Sequence, residues 1–325
     1  MGSVFAQHSQ YTLVELAKRS NNGNLLEIAE VLSITKELFQ DAVWIEANQT
    51  ASHVGTKRTN LPTGTHRQAN KGVAPEASST RQHSEPICRL EAHSKVDEAI
   101  LDLASDKVKA RSQEDLAFVE GLGQTIESNM VYGDLSDNPE EIDGLATRYN
   151  ALSDENVLGA SGTGDDTTSL WIVEWGPTKV HMIYPKGSQA GLQTQDMGLQ
   201  LATDSGGTNQ FWAWFTKFVA WYGMFVHDDK CVQRIANIET TGSSNTLNDD
   251  DIIEALNLLP LAGGGGSTGI YVNRTLKTQL EILAKDKSNV NYTSDNAFGS
   301  PITRFRGVPV RLCESIVNTE TYLSS

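Results

Sequence analysis

Between Trp44 and Phe118 the chain carries no Phe, Tyr or Trp. Aromatic rings bury the most area per residue and dominate packed cores, so this stretch is poorly equipped to build a core of its own. It contains Gly55, Pro62, Gly64, Gly72, Pro75 and Pro86. Its short extended patches of Val, Thr, His, Arg and Ile are nevertheless unlike a flexible Gly/Ser linker. A structureless loop of more than about 12–15 residues is uncommon inside a compact domain. The segment therefore reads as an arm that projects from its own subunit and finds partners on other subunits. Asn60-Leu61-Pro62-Thr63-Gly64 and Asn70-Lys71-Gly72 are both turn candidates for a two-stranded ribbon, and the choice between them is open at this point. The return leg, Ile87 to Ile100, alternates as a strand leading back to the body.

Charge separates the arm further. From Asn48 to Lys95 seven basic residues face three acidic ones, a net +4 in a chain of net −15, which leaves −19 for the rest. A basic extension on an acidic body suits electrostatic docking onto a neighbouring copy, with Lys57, Arg58, Arg67, Lys71 and Arg81 as the expected contacts. The overall acidity argues against general nucleic-acid binding, which needs clustered Lys and Arg. It is compatible with a container whose wall repels DNA phosphates.

No window approaches the roughly 20 apolar residues of a membrane span, and Met1-Gly2-Ser3 opens neither a secretory nor a myristoylation signal. Cys88, Cys231 and Cys313 are scattered, odd in number and without a Cys-x-x-Cys pair, so buried free thiols are expected.

Local signals suggest an α+β body. Thr12 with Glu15, and Asn24 with Glu27, fit helix starts on either side of a break at Asn21-Asn22-Gly23. Ser112 with Asp115 opens the clearest helix, with Leu116, Val119, Leu122, Ile126 and Met130 as its core stripe. Residues 134–166 read as surface turns. Ser169 to Trp175 is a buried strand, paired with Val180–Tyr184 as a hairpin. Phe211 to Val226, rich in aromatics, reads as strand. Asn248 caps a helix that ends at Pro260, Ile270-Tyr271-Val272 is a core strand, Thr275 to Ala284 a helix, and Phe305 to Ile316 a terminal strand pair or ribbon.

The search for chemistry yields no active site. Gly263 to Thr268 lacks the Lys of a phosphate loop, and a helix rather than a strand precedes it. Asp249–Asp251 suit a helix start better than a cation site, and His227-Asp228-Asp229 has no nucleophile elbow beside it. His53, His66, His83 and His93 are irregularly spaced along the arm; they read as exposed polar positions, or as pH sensors if they meet carboxylates of another subunit. Catalytic residues, cofactors and metal ligands are therefore not expected.

The order of elements, with Tyr11–Ala17, Arg58-Thr59-Asn60-Leu61-Pro62, Gly144–Tyr149, Pro185–Leu192, Ile270–Thr275 and Arg306–Arg311 as landmarks, resembles a tailed-bacteriophage major capsid protein of the Hong Kong 97-like fold. The resemblance implies an N-arm over 1–45, an extended β-hairpin loop over 46–95 lying on the adjacent subunit, and a peripheral domain with a long spine helix over 96–133. It further implies an axial domain over 134–285 and a return to the peripheral domain over 286–325. The function implied is a virion shell subunit, assembled in the bacterial host cytoplasm around DNA without sequence-specific binding. Implied partners are other copies in hexamers and pentamers, a portal protein and a decoration protein. A separate scaffolding protein is expected because no long helical segment precedes Tyr11. No Lys–Asn crosslinking pair is marked. The alternatives are an encapsulin-like nanocompartment shell and, less favoured, a soluble enzyme with an inserted lid.

Overall fold

The computed structural model describes residues 20–21, 24–25, 36–204, 207–242, 244–260, 267–286, 292–297 and 300–324. In chain order the first elements are β1 (Ser20–Asn21), β2 (Asn24–Leu25), α1 (Glu37–Asp41), β3 (Trp44–Glu46), β4 (Ser52–Asn60), β5 (Ser79–Pro86) and β6 (Cys88–Asp97). Then come α2 (Glu98–Leu103), α3 (Lys107–Tyr132), α4 (Leu145–Arg148), β7 (Val157–Gly159), β8 (Thr167–Trp175), β9 (Val180–Tyr184), β10 (Leu192–Thr203) and β11 (Gln210–Val226). The last are β12 (Val232–Glu239), α5 (Asp249–Leu258), β13 (Ser267–Val272), α6 (Arg274–Asp286), β14 (Tyr292–Ala297), β15 (Ser300–Phe305) and β16 (Val308–Leu312). Asn21 and Asn24 pair across the expected break, so Asn24 and Leu25 form strand rather than opening a helix. The other N-terminal helix signals and the Gly263–Gly266 run lie outside the described residues.

The chain divides into two compact units. The first comprises residues 89–126 and 191–221 with the N-terminal segment. Here β10 and β11 pair antiparallel from Leu192↔Ala220 to Thr203↔Gln210, with a bulge between Asp196 and Gly198. Val96, Ile100, Leu101 and Ala110 form a small core with Trp214 packed against it. The return leg is a strand only to Asp97, because the Asp97 carboxylate accepts from the Ala99 amide and starts α2. Likewise α3 starts at Lys107, one turn before Ser112, because Asp106 accepts from the amides of Val108 and Lys109. Either carboxylate supplies the orphan amides of a first turn with an acceptor.

The second unit comprises residues 35–88, 127–190 and 222–325. Its centre is β8, buried along almost its whole length, with β12 and β13 antiparallel on its two edges. Leu170 and Ile172 point to one face, where Ile252 and Ala255 of α5 and Leu276 and Leu280 of α6 complete a core with Ile235, Ile270 and Phe305. The alternate residues Trp171 and Trp175 are fully buried, and Trp175 Nε1 donates to the Tyr271 hydroxyl at 2.8 Å. The expected β8–β9 hairpin does not form. Both edges of β8 are taken, so β9 meets it only at Trp175–Val180 and instead pairs with β11 and β3.

The helix caps follow the sequence. Asn248 accepts from the Asp250 amide and Asn273 from the Leu276 amide. The terminal ribbon turns at Arg306-Gly307, both at positive φ, and β16 then runs parallel to β13. The tail is fastened by Glu320. Its carboxylate takes bonds from Arg234, Ser169 and Tyr132 at 2.9, 2.5 and 2.5 Å, all in a buried or half-buried setting. Cys88, Cys231 and Cys313 are buried free thiols. No helix among the described residues is long and apolar enough to cross a membrane.

Candidate functional site

The site is the hairpin of β4 and β5, whose two ends are built differently. The ladder runs from Ser52↔Pro86 to Asn60↔Ser79 and leaves residues 61–78 beyond it. The midpoint of that register falls at 69–70, which selects the Asn70 turn over the Gly64 one. Asn70 takes a left-handed φ of 66°, and the Lys71 amide bonds back to the Gln68 carbonyl. The limbs of the distal loop are tied by Glu76, which accepts from the amides of Thr63 and Gly64 at 2.9 and 3.2 Å.

Every residue from 58 to 82 is exposed. Leu61 is 64% exposed and Val73 47%, apolar side chains at a tip that buries nothing. Arg58, Lys71 and Arg81 make no ion pair among the described residues, and Arg67 only donates to the Lys71 carbonyl at 2.6 Å. With Glu76 the sole acidic residue of this span, its net charge is +3.

Lys57, one of the expected inter-subunit contacts, has its ammonium 3.1 Å from Asp229 of the same chain. The reason is position: Lys57 lies at the root of the hairpin, where the ladder still rests on the 225–229 corner. Glu85 is 4% exposed and receives a two-pronged bond from Arg148 at 2.5 and 2.7 Å. Gly55 is required there, since a Cβ would run into the Phe225 ring. His83 and His93 meet Glu85 and Glu91 of their own chain.

The expected helical stripe divides. Leu122, Ile126 and Met130 are buried, whereas Leu116 is 65% exposed and Val119 39%. Periodicity gives the side of a helix that is apolar, not how far along it a cover extends. The expectation that Leu116 and Val119 belong to the core is therefore corrected for the single chain.

The fold also assembles a group that sequence spacing concealed. His53 of β4, His181 of β9 and His227 after β11 bring one ligand atom each to within 4.8 Å of one another. The three positions are so far apart in sequence that no local spacing signals them.

Some charged groups elsewhere pair with each other. In the first unit Arg111 grips Asp196 at 2.9 and 3.2 Å and donates to Thr216, whose hydroxyl donates to Asp115. Burial raises the Asp115 carboxyl, and the Arg111 bond lowers that of Asp196. These groups cross-brace strands and a helix and leave no nucleophile–base pair.

The family model for the major capsid protein GP7 matches residues 20–324. Among solved structures, a chain of bacteriophage epsilon15 superposes with a TM-score of 0.74 at 24% identity, covering 100% of both chains. The bacteriophage JBD30 capsid gives 0.47 at 11% identity, over 89% of this chain and 95% of that one. The SrpI encapsulin of Synechococcus elongatus gives 0.47 at 11%, over 72% and 98%. No curated protein matches the chain. The chain belongs to the major capsid protein GP7 family and carries the α+β, Hong Kong 97-like fold of tailed-bacteriophage shell subunits.

Proposed function

We propose that copies of this chain close into an icosahedral shell around packaged double-stranded DNA, with hexamers and pentamers as tiles. The observation that carries the reading is the distal hairpin: an ordered, cationic loop with Leu61 and Val73 uncovered, on a chain whose remainder is strongly acidic. Exposed apolar side chains flanked by unpaired charge mark a contact surface. In a closed lattice each copy offers one such loop and receives another, so many weak contacts act together. The hairpin, within 46–95, lies over the adjacent subunit, and Arg58, Arg67, Lys71 and Arg81 meet its acidic surface. Residues 1–45 serve as N-arm, 96–133 as peripheral domain, 134–285 mainly as axial domain and 286–325 as the peripheral return.

Assembly takes place in the host cytoplasm with a scaffolding protein and a portal, and a decoration protein binds the outside. The acidic body repels phosphate, so DNA is enclosed rather than gripped. The test replaces residues 61–78 by a short Gly-Ser turn and views the product, co-expressed with a candidate scaffold, by negative-stain microscopy. Folded chains without closed shells are expected. Normal shells overturn the proposal. Nuclease-protected DNA inside wild-type shells separates a phage capsid from a compartment loaded with protein.

A further inference from the structure

The histidines at the root of the hairpin come from three separate strands or strand ends, yet their rings form one cluster around Phe225. Ring centroids lie 4.7 Å from Phe225 for His53, 5.5 Å for His181 and 4.7 Å for His227. His181 lies 5.2 Å from His227 and 5.6 Å from His53. His181 is 1% exposed, and neither of its ring nitrogens makes a well-formed hydrogen bond, the Gly176 carbonyl being the backbone acceptor beside the ring. A buried polar atom without a partner is costly, and interior imidazoles ordinarily find one. Aromatic packing accounts for the ring faces but leaves the nitrogens unexplained.

We propose that His53, His181 and His227 form a binding site for a divalent transition-metal ion of the Zn²⁺, Co²⁺ or Ni²⁺ class, with water in the remaining position. Imidazole nitrogen is a preferred ligand of these ions, and three histidines with an open fourth place are an established zinc donor set. Donors around a tetrahedral ion at about 2.0–2.1 Å lie about 3.3 Å apart, so atoms within 4.8 Å of one another need close by no more than about 1.5 Å through ring rotation. His53 Nδ1 receives only a long bond from the Asn48 amide, 3.4 Å. Ligation through Nε2 moves the ring proton to Nδ1 and gives up that bond. The cation at hand, Lys57, is neutralised by Asp229. His83 stays outside the set because Glu85 holds it. An ion here would tie β4 of the hairpin to β9 and to the end of β11, stiffening the root and leaving the tip free.

The experiment strips the full-length chain with a chelator, adds Zn²⁺ chloride, removes excess by gel filtration and measures bound metal by mass spectrometry. About one Zn²⁺ per chain is expected, together with a rise in Tm on adding Zn²⁺. His181→Ala should lower bound metal to background, and His66→Ala, at the exposed tip, should leave it unchanged. Should His181→Ala fail to fold, His227→Gln at the half-buried member gives the same reading, with near-ultraviolet circular dichroism confirming the fold. Co²⁺ should give the visible bands of a tetrahedral site in the wild type and lose them in either variant. Background Zn²⁺ in the wild type, or binding that survives both His181→Ala and His227→Gln, overturns the proposal.

Discussion

The root and the tip of the hairpin belong to the same two strands but obey different rules. At the root every charge has a partner within the chain: Glu85 with Arg148, and Lys57 with Asp229. At the tip Arg58, Lys71 and Arg81 have none among the described residues, and Leu61 and Val73 lie open. The root is finished by its own subunit. The tip has internal order, through Glu76 and the Asn70 turn, but no burial. Order without burial is the mark of a surface shaped for something outside the chain. Root variants should therefore change stability, and tip variants should change assembly.

The largest stability effect is expected from Arg148→Ala. It leaves the Glu85 carboxylate buried without its guanidinium, and breaking a buried pair in this way costs about 3–5 kcal/mol. Urea denaturation of the unassembled chain reads this directly; a loss below about 1 kcal/mol would erase the distinction between root and tip, since surface changes stay near ±0.5 kcal/mol. Gly55→Ala comes next. Its Cβ would overlap the Phe225 ring, packed among four histidines, and overpacking of this kind costs about 1–3 kcal/mol.

Glu127 sharpens the point about partners. It is buried like Glu85 but takes a hydroxyl, from Ser315 at 2.8 Å, where Glu85 takes a guanidinium. Burial raises its pKa in the folded state. The folded chain thus holds that proton more tightly than the unfolded one. Its contribution to stability is most favourable in acid, falls as pH rises through the unfolded carboxylate range, and is fully unfavourable above the folded value. Glu127→Gln should accordingly raise Tm slightly at neutral pH and lose that gain toward pH 4, in thermal melts at both pH values. An equal gain at both would place the effect in packing instead.

The smallest stability effect is expected from Arg67→Glu with Arg81→Glu. Denaturation should agree with wild type within about 0.5 kcal/mol. Particle yield should fall at low salt, and the difference from wild type should narrow as salt screens both. Unchanged yield would remove the electrostatic part of the docking account.

Much of this arrangement is legible in the residues. The absence of Phe, Tyr and Trp between Trp44 and Phe118 marks a segment without a core, and the β8 run of apolar residues marks a strand buried on both faces. Asn248 is a local signal whose physics is contained in a few residues. What the sequence conceals depends on neighbours. The β8–β9 hairpin fails because β12 and β13 occupy the edges it needs. Leu116 and Val119 share the phase of a buried stripe but lie beyond its cover. Lys57 resembles the other arm cations in sequence and differs only in lying where the ladder still touches the body. The histidine cluster is assembled by tertiary structure alone.

The central claim is that residues 61–78 are completed by another copy. Amide hydrogen exchange, compared between unassembled chains and closed shells, tests it most directly. Fast exchange of this loop is expected in the free chain and strong protection in the shell, while the root, including Glu85 and its neighbours, is slow in both. A loop that exchanges equally fast before and after assembly would contradict it.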